Sequence, residues 1–128
     1  MQSMSESSTV VAVRGAVQAD RNSSEAILDA SEQLMLELIE RNSLTPEQMI
    51  SAIFTTTGDL DAEFPAAAAR RIGLNEVPLM CAQEIPVPGS MTRVIRVLLH
   101  MNAPAGFKPQ HVYLGETRNL RTDLNAAQ

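Results

Sequence analysis

The stretch that most constrains the fold is Val94-Ile95-Arg96-Val97-Leu98-Leu99, which runs on through His100 and Met101. Its β-branched and leucine content reads as a strand, with Ile95, Val97, Leu99 and Met101 on one face and Val94, Arg96, Leu98 and His100 on the other. The first set demands apolar cover. The second carries a guanidinium, which is very costly to bury unpaired, so something anionic must meet Arg96. Such a strand calls for a sheet that packs one face on helices and turns the other toward something wetter, such as a subunit interface.

The rest of the chain supplies those partners. Residues 1–8 are polar, serine-rich and without period, and are expected to form a disordered extension. Thr9 to Val17 alternates as a strand in which Val11, Val13, Gly15 and Val17 share one face and Arg14 is the lone charge on the other. Asn22 with Glu25 resembles a capping box, and Ile27, Ser31, Leu34 and Leu38, with Leu28, Met35 and Ile39, give helical spacing to about Asn42. The opposite side of this helix, with Glu25, Asp29, Glu32, Glu37 and Glu40, reads as a solvated acidic face. Thr45-Pro46-Glu47-Gln48 predicts one or two further helical turns.

Further strands are expected at 51–57, 77–81, 93–101 and 111–114. An alanine-rich helix from Ala66 to Ile72 ends at Gly73, and a proline- and glycine-bearing loop covers Asn102–Pro109. Strands and helices alternate without a glycine-rich nucleotide fingerprint. The fold class is therefore α/β in an α+β-like form: one mixed β-sheet, one long helix and short helices, mostly on one side.

A chain of 128 residues with 45% apolar content makes one domain with a genuine core. The single cysteine excludes an internal disulfide, and neither a signal peptide nor a run long enough to span a bilayer is evident, so a cytoplasmic location is expected. The net charge of −5 argues against nucleic acid as a partner. Its distribution is uneven: carboxylates dominate residues 20–63, whereas 64–128 has a local excess of base. Nine of the ten basic residues are arginine, which suits bidentate capture of carboxylate or phosphate.

No P-loop, Cys-x-x-Cys, His-Glu-x-x-His or Gly-x-Ser-x-Gly motif is present, so metal and nucleotide readings fall away. What remains is Arg14, Cys81, Glu84, Arg96 and Tyr113, with Arg70 and Arg121 outside them. Each has an ordinary structural role open to it: Cys81 as a small core residue, Glu84 paired with Arg93, and Tyr113 in the core with a satisfied hydroxyl. His100 and His111 read as structural or surface residues. Two arginines on otherwise apolar strand faces nevertheless require more anions than Glu84 supplies, and a dicarboxylate ligand would balance them. Cys81 and Glu84 lie three apart, so their side chains share a ligand only if the strand bends.

The pattern Val-Arg-Gly-Ala at 13–16, Phe-Pro-Ala at 64–66 with Arg70, Val-Pro at 77–78, Cys81-x-x-Glu84, Ile-Arg-Val at 95–97, His-Val-Tyr-Leu at 111–114 and Leu-Arg-x-Asp-Leu at 120–124 resembles the monofunctional, trimeric α/β class of chorismate mutase. The resemblance spans roughly residues 10–124. It implies a trimeric pseudo-α/β barrel with active sites between subunits, and a cofactor-free Claisen rearrangement of chorismate to prephenate in aromatic amino acid biosynthesis. Arg96 would donate to the breaking ether bond, Arg14 and Tyr113 would hold the enolpyruvyl carboxylate, and Glu84 with Cys81 would bind the ring hydroxyl.

By the same resemblance Phe64, Ala66 and Arg70 would approach from across the cleft, Met80 would contact substrate, and Leu120 and Arg121 would close over it. The domain would cover 9–117, with 118–128 as the closing tail. The sequence departs from the family pattern at Met80, where threonine is expected, at Ala67, where lysine is, and at Thr122, where proline is. A second reading has a different class: a trimeric protein of similar architecture that binds a small carboxylate without rearranging it. The joint presence of Arg96, Glu84 and Arg14 favours the enzyme, because carboxylate capture does not need a hydroxyl acceptor.

Overall fold

The computed structural model describes residues 8–120. Segments 1–7 and 121–128, with them most of the expected extension and of the closing tail, lie outside the described residues; Ser8 does not belong to an extension, because it opens the first strand. In chain order the elements are β1 (Ser8–Gln18), α1 (Ser24–Asn42), a 3-10 turn (Pro46–Gln48), β2 (Met49–Thr56), α2 (Ala66–Arg71), β3 (Leu79–Gln83), β4 (Val94–Pro104), β5 (Val112–Tyr113) and a second 3-10 turn (Gly115–Thr117). The five strands form one mixed sheet in the order β3-β2-β4-β1-β5. The pairs β1–β4 and β2–β4 are antiparallel, whereas β2–β3 and β1–β5 are parallel.

The strand singled out by its two faces is the centre of that sheet. β4 runs to Pro104 rather than stopping at Met101, since all eleven of its residues pair with β1 from Gln18↔Val94 to Ser8↔Pro104. Cross-strand hydrogen bonding thus overrides the loop composition of Asn102 and Pro104. Similarly β3 begins at Leu79, two residues later than its sequence suggests, because the Pro78 carbonyl accepts the Ala52 N–H (3.0 Å) and pairing with β2 then continues to Gln83.

One face is covered as its pattern requires. Ile27, Leu34, Met35 and Leu38 of α1 are fully buried against Val13, Ile95, Leu99 and Met101 of β1 and β4 and against Phe54 of β2. Burial of each such side chain contributes ~1.5–3 kcal/mol. Gly15 lets the helix come this close: a β-carbon there would stand 2.9 Å from Leu34 Cδ1 and 3.1 Å from Leu38 Cδ1. The cap of α1 is Ser23, whose Oγ accepts the Ala26 N–H (3.1 Å), and not Asn22. Asn22 instead reaches across to the 61–62 loop, where its side chain accepts both the Asp61 and Ala62 amides. Ser43 closes the helix in the left-handed conformation, with φ 52°.

The opposite face has no helical cover. Val10 and Met80 are largely exposed there, and Ile53, Leu98 and His100 are half-buried. Among the described residues, no helix is long and apolar enough to cross a membrane.

Candidate active site

Strand register arranges the open face into rows that cross the sheet. One row runs Tyr113, Ala16, Arg96, Thr55, Ala82; the next runs Arg14, Leu98, Ile53, Met80. Arg14 and Arg96 are diagonal neighbours across β1 and β4, a relation that sets side chains ~7–8 Å apart. Together with Tyr113, Thr55, Ile53 and Leu98 they line a shallow hollow of about 240 Å³.

Glu84 supplies the anion Arg96 requires. It follows the last residue of β3, and its N–H donates to the Thr56 carbonyl (2.9 Å), which keeps the chain on the ladder for one more residue. The side chain therefore falls on the same face as Met80 and Ala82. Its Oε2 accepts the Thr55 hydroxyl (2.6 Å) and lies 3.0 Å from Arg96 Nε. That Nε is buried and its N–H is not aimed at a hydrogen-bond acceptor, so the contact is an ion pair without a directed bond. Among the described residues, no acceptor meets the two outer nitrogens of Arg96, and no carboxylate pairs with Arg14. With one carboxylate against two guanidiniums, the face keeps a net positive charge suited to an anionic ligand.

The pairing of Glu84 with Arg93 does not occur. Arg93, at φ 54°, is committed elsewhere: its N–H donates to the Asp59 carboxylate (3.0 Å) and its Nε to the Ala19 carbonyl (2.9 Å). Nor does the strand bend bring the side chains of Cys81 and Glu84 together. Cys81 is in register with the fully buried Phe54 and packs against the core, on the helix side of the sheet. Period two holds to the end of β3, so the thiol is directed away from Arg96. The ladder that uses the carbonyls of Pro78 and Thr56 turns the Cys81 N–H outward, to the free edge of the sheet.

Phe64, Ala66 and Arg70 do not line the hollow around Arg96 within one chain. Ala66 is consumed by the core, while Phe64 is exposed just before α2 and Arg70 is exposed in its last turn. The neighbouring Glu63 accepts the Ser24 hydroxyl (2.8 Å) and the Phe64 N–H (3.0 Å); these bonds, and Arg70 close by, hold its carboxyl below the ordinary value. Met80 is 64% exposed on the open face, three strands from Arg14. Leu120 is half-buried just past the second 3-10 turn, and Arg121 lies outside the described residues.

Thr55 escaped the sequence reading. A hydroxyl on the same strand face as Ile53, in a strand set to pair beside Arg96, was the available signal. Tyr113 is buried on β5 and lines the hollow.

The model of the family described as chorismate mutase type I matches residues 10–124. A protein described as chorismate mutase AroH from Thermus thermophilus is 46% identical over 118 residues, covering 91% of this chain and 97% of the relative. Chorismate mutase AroH from Bacillus subtilis is 37% identical over 118 residues, covering 88% and 91% respectively. A solved chorismate mutase from Clostridium thermocellum superposes with a TM-score of 0.82 at 42% identity, over 85% of this chain and 98% of that one.

Proposed function

The chain belongs to the chorismate mutase type I family and converts chorismate to prephenate; from that premise we propose that the reaction occurs on the open face of the sheet, over Arg96, Arg14 and Glu84. The observation that carries this reading is Arg96, which lines the hollow and is paired at Nε with Glu84. A Claisen rearrangement is unimolecular and pericyclic. It needs a compact conformer held in place and a donor where negative charge grows on the ether oxygen, with no nucleophile and no obligatory proton transfer.

In this reading the Arg96 fork donates to the ether oxygen and the adjacent carboxylate. Arg14 and Tyr113 hold the enolpyruvyl carboxylate, at the end of the hollow where no carboxylate among the described residues pairs with Arg14. The ring hydroxyl lies toward Glu84, whose other oxygen remains available, and toward the outward-facing Cys81 amide. Catalysis thus draws on Cys81 through its backbone rather than its thiol.

The open face also supports a trimer. A five-stranded sheet with one face bare, and with Val10, Met80, Ile53 and Leu98 on that face, favours association with copies of itself. Phe64 and Arg70, which do not line the hollow of their own chain, would then complete the hollow of a neighbouring subunit, with the Ala66 backbone beside them. Leu120 and Arg121 would close the site from the tail that starts at residue 118. The cytoplasm is the proposed compartment.

The test is Arg96→Ala. Loss of chorismate's ultraviolet absorbance, followed with purified protein, is expected to slow by ~10²–10³-fold, the cost of removing one aligned donor to a developing oxyanion. Sedimentation is expected to report an unchanged trimer. Full activity in this variant sinks the assignment of roles, and a monomeric parent protein sinks the shared site.

A further inference from the structure

The backbone of Arg14 is held by an unusual partner. Its N–H points to the β5 side of β1, where the ladder is only two residues long: Gly15 pairs with Val112 and Ala16 with Tyr113, and the Leu114 N–H donates to the Ala16 carbonyl (3.0 Å). Continued by one step, a parallel ladder would offer Arg14 the carbonyl of Gln110. That carbonyl is already taken. Asn42, buried at the end of α1, donates its Nδ2 to the Gln110 carbonyl (3.0 Å) and accepts the Gln110 N–H at Oδ1 (2.7 Å). The chain therefore leaves the ladder at residue 110, and the Arg14 N–H instead donates to the ring of His111, with Nδ1 at 3.0 Å.

We propose that His111 is a positioning residue for the reaction: its Nδ1 stands in for the missing strand acceptor and fixes the backbone from which Arg14 reaches the substrate carboxylate. The proposal rests on the role given to Arg14 above. An acceptor at Nδ1 requires the ring proton on Nε2, so it is the neutral Nε2–H tautomer that does the holding. Asn42 acts one step further back, by locking Gln110 so that the next residue presents its ring to β1. The same two-residue strand carries Tyr113, so this short segment positions both groups assigned to the enolpyruvyl carboxylate. A carboxylate contact is made in the ground state as well as the transition state. Loosening it raises KM more than it lowers kcat.

The experiment compares His111→Gln, His111→Asn and Arg14→Ala. The asparagine amide ends near the position of Nδ1 and restores an acceptor there, whereas glutamine is of similar size and polarity but carries its amide beyond that point. His111→Gln is expected to raise KM for chorismate by ~3–10-fold, the range for one lost net hydrogen bond, with kcat nearly unchanged. His111→Asn is expected to return KM toward the parent value, and Arg14→Ala to raise it at least as far as His111→Gln. A purely structural role would lower the folded fraction, and with it apparent kcat, while leaving KM alone. Amide exchange at Arg14 gives a second reading: its protection is expected to fall in His111→Gln and recover in His111→Asn. An Arg14→Ala protein with raised KM beside a His111→Gln protein with parental KM and parental Arg14 protection overturns the inference and leaves the role of Arg14 standing. Parental KM in Arg14→Ala overturns that role and the inference with it.

Discussion

Gly15→Ala isolates how closely α1 must approach β1. The new methyl would meet Leu34 Cδ1 at 2.9 Å, Leu38 Cδ1 at 3.1 Å and the Val112 carbonyl oxygen at 3.3 Å. Both leucines are fully buried, so neither can swing out without disturbing the core, and the carbonyl belongs to the short β1–β5 ladder. Forcing one methyl into a packed core costs ~1–3 kcal/mol. Against this, replacing glycine at a position with ordinary strand geometry recovers ~0.4–1 kcal/mol by restricting the unfolded chain. The net expectation is a loss of ~1–2 kcal/mol. For a domain of this size that is a fall in Tm of ~3–8 °C.

Differential scanning calorimetry at matched protomer concentration is the assay, since association shifts apparent stability. Gly15→Ala combined with Leu34→Val should be less destabilised than the sum of the two, with a coupling of at least ~0.5 kcal/mol, because shortening Leu34 relieves the nearest contact. A Tm equal to or above that of the parent, with strict additivity in the double variant, would refute the account of helix–sheet spacing.

Two further outcomes are expected. Ser31→Ala should stabilise the protein by about 1 kcal/mol in chemical denaturation, because the buried Ser31 hydroxyl has no hydrogen-bond partner among the described residues and bears a desolvation cost that alanine removes. Cys81→Ala should keep KM and kcat for chorismate near parental values while lowering stability by ~1 kcal/mol, since the side chain packs on the core side of β3. Loss of turnover in folded Cys81→Ala protein would return the thiol to the reaction.

Much of the fold was legible because it is written at short range. Alternation along 94–101 separates Ile95, Val97, Leu99 and Met101 from Arg96 and Leu98, and the same split appears in the burial of β4. Helical spacing from Ile27 to Leu38 marked the layer that covers the apolar set. Of the site, the separation of Arg14 and of Arg96 from the apolar face of their own strands followed from the same period of two, and strand register then brought both to one face with Tyr113. Less accessible was anything that depended on competition between partners. Asn22 and Ser23 are both good caps, and Ser23 takes the role because the 61–62 loop engages Asn22. Glu84 had two arginines within reach along the chain, and Arg93 was withdrawn by Asp59 and by the Ala19 carbonyl.

By itself, then, the sequence determined which residues share a face, where the long helix runs, and that a guanidinium on the central strand must meet an anion. These are properties of period and composition, settled within a few residues by the geometry of strand and helix. Only the tertiary structure decided that the strands pair as β3-β2-β4-β1-β5, that Glu84, held by the Thr55 hydroxyl, pairs with Arg96, that the Cys81 thiol joins the core, and that His111 completes the β1 ladder under Arg14. Each of those depends on which of several adequate partners is brought within bonding distance, and that choice is made by contacts far apart in the chain.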